Sequence, residues 1–181
     1  MESLKSFLIK SIISGFIMGA ASAAAPDLSS YQYKSRYLAE YSIFKIDVQY
    51  IGLHVSKKYQ NANEIIQDSS NKVLKVEYLR ELSKSTLKKA WGVSYEAVLG
   101  ENNQTFKDQI KKIKSFTRDV YEGDIVYVVF SKDGLKYFLN DNMLGEINDP
   151  EFAKVTLSIW IGETPVDDDM KEGILKGIIG K

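Results

Sequence analysis

The fold is decided by one stretch of the sequence, residues 125–147, which is IVYVVFSKDGLKYFLNDNMLGEI. Its first six residues are all β-branched or aromatic, which is typical of a central strand. Asp133-Gly134 predicts a hairpin turn because this pair tolerates positive φ. A second turn signal at 140–142 separates the strand predicted over 135–139 from a short one ending at Ile147. The stretch therefore predicts three consecutive antiparallel strands.

An alternating pattern upstream predicts another strand. Over residues 46–50 apolar and polar residues alternate, with Tyr50 on the apolar face and Gln49 on the polar face. Gly52 interrupts the rhythm and indicates a bulge or a tight crossing of the chain. The apolar alternation resumes over 53–55.

The segment that follows predicts a loop and then a strand. Residues 60–71 are mostly polar and favour a loop. Leu74, Val76 and Tyr78 then alternate with polar neighbours, which predicts a strand with these three side chains on one face.

Capping residues predict three helices, and the spacing of apolar residues predicts a fourth. Ser83 is an N-cap for a helix that ends at Gly100, and a second helix is expected over about 103–116. Asp149-Pro150 opens a third helix, and Asp167 opens the last. Strands and helices come in blocks, which indicates an α+β fold: a bent antiparallel sheet covered on one face by a layer of helices.

The N-terminus has the three parts of an export signal. Lys5 and Lys10 supply positive charge, the run 11–20 is largely apolar, and Ala21-Ser22-Ala23 carries small residues at the positions that a signal peptidase recognises. The alternative is an uncleaved membrane anchor, but the run is shorter than the roughly 20 residues that span a bilayer. Cleavage after Ala23 and export to the periplasm are expected.

The predicted layout has three parts. Residues 1–23 are the signal peptide, 24–35 a loose N-terminal lead-in, and 36–181 a single domain. The chain has no cysteine, so the mature protein is expected to be soluble and not a lipoprotein, without stable membrane insertion.

The composition excludes several functions. Without cysteine there is no thiol catalysis or thiolate metal site, and the single histidine, His54, leaves no His-rich metal site. The 24 basic and 24 acidic residues are scattered, without the basic stripe that nucleic-acid binding requires. No metal, cofactor or nucleic-acid partner is predicted. Because the chain has no disulfides, its stability must come from burial of apolar surface, which the 11 Tyr, 8 Phe and 2 Trp can supply.

Three segments resemble the chalcone isomerase-like family. The most specific is 152–171, FAKVTLSIWIGETPVDDDMK, and its portion from Trp160 to Val166 is most similar to exported bacterial members. Residues 75–83, KVEYLRELS, and the hairpin at 140–147 are similar to the same branch. The resemblance implies an open antiparallel sheet with a layer of helices and a ligand cleft between the two.

The family's catalytic pattern is not preserved. Chalcone isomerases use an arginine and a threonine on the early strands, a tyrosine and an asparagine near the first helix, and a late threonine. By the resemblance, the early threonine corresponds to Gln49, the tyrosine to Leu87, the asparagine to Ser94 and the late threonine to Ile159. Leu87 and Ile159 cannot donate a hydrogen bond to an anionic oxygen, so no catalytic residue is predicted.

The family arginine has no single counterpart. Plant spacing places it at Tyr37, beside Arg36, whereas bacterial spacing places it nearer Tyr41. In the fatty-acid-binding branch this arginine and a tyrosine on the next strand hold a carboxylate. The tyrosine position is Gln49 here, with Tyr50 next to it. Arg36 could hold a carboxylate in a bidentate manner, or it could be an ordinary surface arginine.

Other side chains have two interpretations each. Tyr78 and Arg80 either end inside a cleft or belong to an ordinary strand exit. His54 is expected to be structural or on the surface, with catalysis as the alternative. Trp91 and Trp160 are expected in the core, with stacking against an aromatic ligand as the alternative.

The preferred hypothesis is an exported, non-catalytic protein that binds a small apolar molecule, such as a fatty acid, in its cleft. Two alternatives remain open. One is an isomerase or lyase that uses Arg36, Tyr78 or His54 on an unknown envelope substrate. The other is an interaction module of a periplasmic assembly.

Overall fold

The computed structural model describes residues 24–41 and 46–180, which form seven strands and five α-helices within those ranges. The predicted signal peptide, 1–23, lies outside the described residues. The strands are β1 (Tyr33–Lys34), β2 (Tyr37–Tyr41), β3 (Ile46–Val55), β4 (Lys72–Tyr78), β5 (Ile125–Ser131), β6 (Gly134–Leu139) and β7 (Asn142–Ile147). The helices are α1 (Ala62–Gln67), α2 (Lys84–Leu99), α3 (Lys107–Phe116), α4 (Pro150–Ile161) and α5 (Asp168–Leu175). A 3-10 segment, Gly100–Phe106, joins α2 to α3.

All strands belong to one antiparallel sheet. The order is β1-β3-β4-β5-β6-β7, and β2 pairs with the same strand, β3, as β1 does. Strands β5, β6 and β7 follow one another as predicted, and Asn140 adopts a left-handed φ of 52° in the second turn. The predicted α+β fold class is confirmed.

The two faces of the sheet differ. The inner face carries Leu53, Leu74, Val128 and Tyr137 side by side, and helices α2 to α5 pack against it. The outer face carries the alternate residues, beginning with His54 on β3. The main hydrophobic core lies between the inner face and the helices, where two apolar surfaces meet.

The capping signals are confirmed at three helix starts. The Ser83 hydroxyl accepts from Thr86 N at 3.2 Å. The carboxylates of Asp149 and Asp167 accept at 3.0 and 2.6 Å from the backbone N–H groups three residues further on. Such caps satisfy donors that the first helical turn leaves without a partner.

The loop predicted over 60–71 is partly wrong, because α1 lies inside it. Asn61 caps this helix by accepting from Glu64 N at 2.9 Å, and Ile65 is fully buried. One buried residue in a six-residue helix gives no helical periodicity in the sequence.

The alternatives left open at Gly52 resolve to a tight crossing. Strand β3 pairs with β4 without a register shift, so there is no bulge at this glycine. A Cβ on Gly52 would lie 2.0 Å from the carbonyl oxygen of Ser35. Because alternation is unbroken, Gln49 shares the inner face with Leu53, and Tyr50 lies on the outer face. The prediction that Tyr50 lies on the apolar face is therefore wrong.

A polar cluster beside α1 makes the stability of the fold depend on pH. The Asp68 carboxylate accepts from the hydroxyls of Tyr59 and Ser70, and Lys72 Nζ donates to the backbone carbonyls of Asp68 and Ser70. Burial alone would raise the pKa of Asp68, but the two hydroxyls and the Lys72 ammonium outweigh it and hold the pKa well below its usual range.

The cluster predicts a loss of stability in acid. Because the folded-state pKa of Asp68 is depressed, its contribution is present above the ordinary carboxyl pKa of about 4 and is lost as pH falls towards the folded-state pKa. The free energy of unfolding is measured from pH 7 to pH 2. The difference between the wild type and Asp68→Asn should shrink below about pH 4. The same difference measured for the exposed Glu163→Gln should stay near zero throughout, and a pH-independent Asp68 difference would contradict the prediction.

Candidate functional site

A cavity of about 370 Å3 lies between the inner face of the sheet and the helices. This volume falls in the range of roughly 300–1,000 Å3 that small-molecule sites occupy. Strands β3 to β6, helices α2, α4 and α5, and the segment before α5 all contribute to its walls. They do so through Gln49, Val76, Tyr78, Leu87, Ala90, Trp91, Ser94, Val126, Val128, Tyr137, Ile159, Trp160, Val166, Asp167 and Met170.

Aromatic rings form the helical wall of the cavity. The rings of Trp91 and Trp160 meet edge to face, with centroids 5.7 Å apart. Trp91 also stacks on Tyr95, which in turn stacks on Phe152. Tyr95 is fully buried, and its hydroxyl is 2.8 Å from Thr156 Oγ1. The wall is thus continuous with the core, which holds both tryptophans in place.

Four uncharged polar side chains, Gln49, Tyr78, Tyr137 and Ser94, line the cavity together with the charged Asp167. Burial raises the pKa of Tyr78, and burial together with the neighbouring Tyr78 raises that of Tyr137. Both phenols therefore stay protonated at neutral pH and can donate a hydrogen bond to a ligand oxygen. A phenol that stays protonated can donate a hydrogen bond or a proton to a ligand but cannot abstract a proton from it.

The cavity opens to solvent beside the start of α5. Val166 is 41% exposed, and the exposed Asp167 lies next to it. Among the described residues that line the cavity, none is a lysine or an arginine. Asp167 is the charged residue among these lining residues, and its carboxylate also caps α5.

Five of the nine predicted site residues line this cavity: Gln49, Tyr78, Leu87, Ser94 and Ile159. They come from two strands and two helices that are far apart in sequence. Ile159 is 1% exposed and Leu87 is half-buried, so hydrocarbon lines the cavity at both of these positions.

The other four lie elsewhere. Arg36 and Tyr50 are on the outer face, with the guanidinium carbon 3.3 Å from the centre of the tyrosine ring. Tyr37 packs against Gly173 of α5, where an added Cβ would meet its ring at 2.0 Å. Arg80 is exposed after β4. Arg36 is therefore not at the inner cavity, because it lies on the opposite face of the sheet.

The remaining lining residues carry two kinds of sequence signal. Val76, Val126 and Val128 belong to the alternating pattern of the strands. This pattern identifies the inner face of the sheet, but it does not show which part of that face the helices leave uncovered. Trp91 and Trp160, expected in the core, are half-buried and border the cavity. The spacing of apolar residues on a helix cannot distinguish a core wall from a cavity wall.

His54 is buried on the outer face and does not reach the inner cavity. Within residues 24–41 and 46–180, no group of three or more His, Asp or Glu side chains is arranged to hold a metal ion. None of the helices in these ranges is both long and apolar enough to cross a bilayer.

Together the sheet, the helical layer and the cavity define an α+β protein with an internal cavity between its two layers. The chain belongs to the chalcone isomerase-like family, whose sequence profile matches residues 41–176. Its fold is similar to that of a fatty-acid binding protein from Arabidopsis thaliana, with a TM-score of 0.61 at 15% sequence identity. That similarity covers 84% of this chain and 89% of the plant protein. No curated protein matches the chain in sequence.

Proposed function

We propose that this protein is a non-catalytic binder of a small apolar, fatty-acid-like molecule, held in the cavity between the sheet and the helices. One observation carries the proposal: the cavity is walled by valines, tryptophans and other apolar side chains, with hydroxyl groups at a few positions. Small-molecule sites typically combine such apolar walls with a few polar groups that orient the ligand.

The polar groups suggest how the ligand is oriented. The hydroxyls of Tyr78 and Tyr137 are protonated donors, so they suit the oxygen of a carboxyl, carbonyl or alcohol head group. The apolar tail would then extend along Val126 and Val128 towards the two tryptophans.

Two further observations support binding without chemistry. The first is that Leu87 and Ile159 line the cavity but cannot donate a hydrogen bond. By the sequence resemblance, the family's enzymes carry donors at these two positions to stabilise an anionic reaction centre. The Arabidopsis protein of similar fold is named as a fatty-acid binding protein. A fatty acid is therefore the first ligand class to test.

Export is the second part of the proposal. The charged, apolar and small-residue parts of 1–23 support cleavage after Ala23 and a periplasmic location. Expression in a host with a periplasm, followed by N-terminal sequencing of the recovered protein, tests this. A protein recovered only from the cytoplasm with its first 23 residues intact would contradict it.

A matched pair of tryptophan substitutions on α2 tests the binding site. Ser94 lines the cavity, whereas the adjacent Val93 is 59% exposed and does not. Ser94→Trp should fill the cavity and weaken the binding of cis-parinaric acid, a fluorescent fatty acid, by about tenfold or more, which is roughly 1.4 kcal/mol. Val93→Trp should leave the affinity unchanged.

Binding is followed by fluorescence titration, and thermal melts confirm that both variants are folded. Equal affinities for the two variants, or no binding by the wild type of any fatty acid or fatty alcohol, would contradict the proposal. Conversion of a bound molecule into a product would instead favour the enzymatic alternative.

A further inference from the structure

A second pocket of about 340 Å3 lies on the outer face of the sheet, where the chain crosses β3 at Gly52. Strand β1 supplies Lys34, β3 supplies Tyr50 and His54, β4 supplies Lys75 and Glu77, and Arg36 follows β1. The sheet separates this pocket from the inner cavity, so the ligand proposed for the inner cavity does not account for it.

The pocket carries more positive than negative charge. Lys34, Arg36 and Lys75 face a single carboxylate, that of Glu77. One oxygen of Glu77 is 3.4 Å from Lys75 Nζ and 3.9 Å from Arg36 Nη2, so the two cations share it. Lys34 makes no ion pair within the described residues. The described side chains of the pocket thus have a surplus of two positive charges, even with His54 neutral.

The guanidinium of Arg36 lies over an aromatic ring of the pocket. It lies 3.3 Å from the centre of the Tyr50 ring, close enough for a cation–π interaction. Its side chain is 60% exposed, and its contact with Glu77 is too long for a hydrogen bond. Its planar N–H groups can therefore donate to a ligand in the pocket.

His54 is the buried polar group of the pocket. It is only 8% exposed, and its Nδ1 atom is buried without a hydrogen-bond partner in the described part of the chain. The charged groups around it are Lys34, its direct neighbour on β1, and Lys75 on β4, while the Tyr31 ring meets it edge-on. Buried polar atoms usually have a partner, so the imidazole can still form a hydrogen bond with a group bound beside it.

We propose that this outer pocket binds a small oxyanion, a carboxylate or a phosphate group, between Lys34, Arg36 and Lys75 and beside His54. The bound group balances the excess of positive charge, and arginine matches the planar, two-oxygen edge of such ligands. The inner cavity takes the apolar molecule, and the outer pocket takes a polar one.

His54 reports directly on this site because it is the only histidine in the chain, so its ring signals in NMR spectra are unambiguous. Burial, Lys75 and Lys34 lower its pKa. A bound anion beside it should offset the two lysines and raise the measured pKa by about half a pH unit or more. The titration is run with inorganic phosphate, with succinate and, at equal ionic strength, with chloride.

The proposal expects a saturable rise with phosphate or succinate, and the stronger of the two identifies the chemical class. Lys75→Met or Arg36→Gln should abolish the rise, whereas Lys89→Met on the exposed side of α2 should retain it. Arg36 is exposed, so its variant tests the site even where Lys75→Met fails to fold. An equal response to chloride, or a full response in Arg36→Gln, would overturn the proposal. Fatty-acid binding and its loss in Ser94→Trp are measured separately and do not depend on this result.

Discussion

Phe152→Ala is expected to lower the free energy of unfolding by about 4 kcal/mol, since deletion of a buried phenylalanine ring costs roughly 3–5 kcal/mol. Phe152 is fully buried in the first turn of α4. Its ring stacks on Tyr95 with centroids 5.2 Å apart and meets Phe106 at 5.6 Å. The substitution therefore removes the centre of an aromatic cluster that joins α2, the 3-10 segment and α4.

The effect is measured by urea unfolding at pH 7. In a chain of this length it corresponds to a lowering of Tm by roughly 8–16 °C, at about 2–4 °C for each kcal/mol. Tyr121→Ala serves as the control because Tyr121 is 57% exposed, and it should change stability by less than about 0.5 kcal/mol. If Phe152→Ala cost no more than this control, the aromatic cluster would not be the centre of the core.

The features that the sequence predicts well depend on near neighbours in the chain. Ser83, Asp149 and Asp167 each cap a helix through a backbone N–H three residues further on. The hairpins of 125–147 depend on turns of two residues between adjacent strands. In these cases the cause lies within a few residues of its effect, so a local pattern is sufficient.

The features that it predicts poorly depend on distant contacts. Ile65 is buried by elements that α1 meets only in the folded chain, so the helix is not visible in the sequence. The face occupied by Tyr50 depends on whether β3 bulges at Gly52, and that is decided by how Ser35 crosses it. If a bulge is wrongly assumed at this glycine, Tyr50 is predicted on the wrong face of the sheet. Arg36 stacks on Tyr50, so it is then misplaced as well.

The candidate site shows the same division. Leu87, Ser94 and Ile159, which the sequence resemblance offers as ligand-binding candidates, line the cavity. Tyr137 lines it too, but it follows an ordinary hairpin turn and has no distinguishing pattern in the sequence. A cavity forms where two layers do not pack against each other. The sequence shows which residues are apolar, but it does not show which apolar residues lack a packing partner in the opposite layer.

Gly52→Ala is expected to destabilise the protein by about 3 kcal/mol, at the upper end of the usual cost of overpacking. The added Cβ would lie 2.0 Å from the Ser35 carbonyl oxygen and 2.8 Å from its carbonyl carbon. Both are backbone atoms. Ser35 is held by two hydrogen bonds: its N–H donates to the Leu53 carbonyl at 3.1 Å, and its hydroxyl accepts from Leu53 N at 3.0 Å. The clash cannot be relieved by rotating a side chain, so the crossing itself must move.

Gly92→Ala is the matched control for this substitution. The atom that its Cβ would meet most closely is the ammonium nitrogen of Lys114, at 2.8 Å, which is the far end of a flexible side chain. Since alanine is also the better helix former, by about 1 kcal/mol, Gly92→Ala should leave the protein as stable as the wild type or more so. Urea unfolding of the two variants measures the contrast. If both variants were similarly stable, the chain would tolerate a side chain at the crossing. The close approach of Ser35 would then not explain why β3 continues without a bulge, with Gln49 on the inner face and Tyr50 on the outer face.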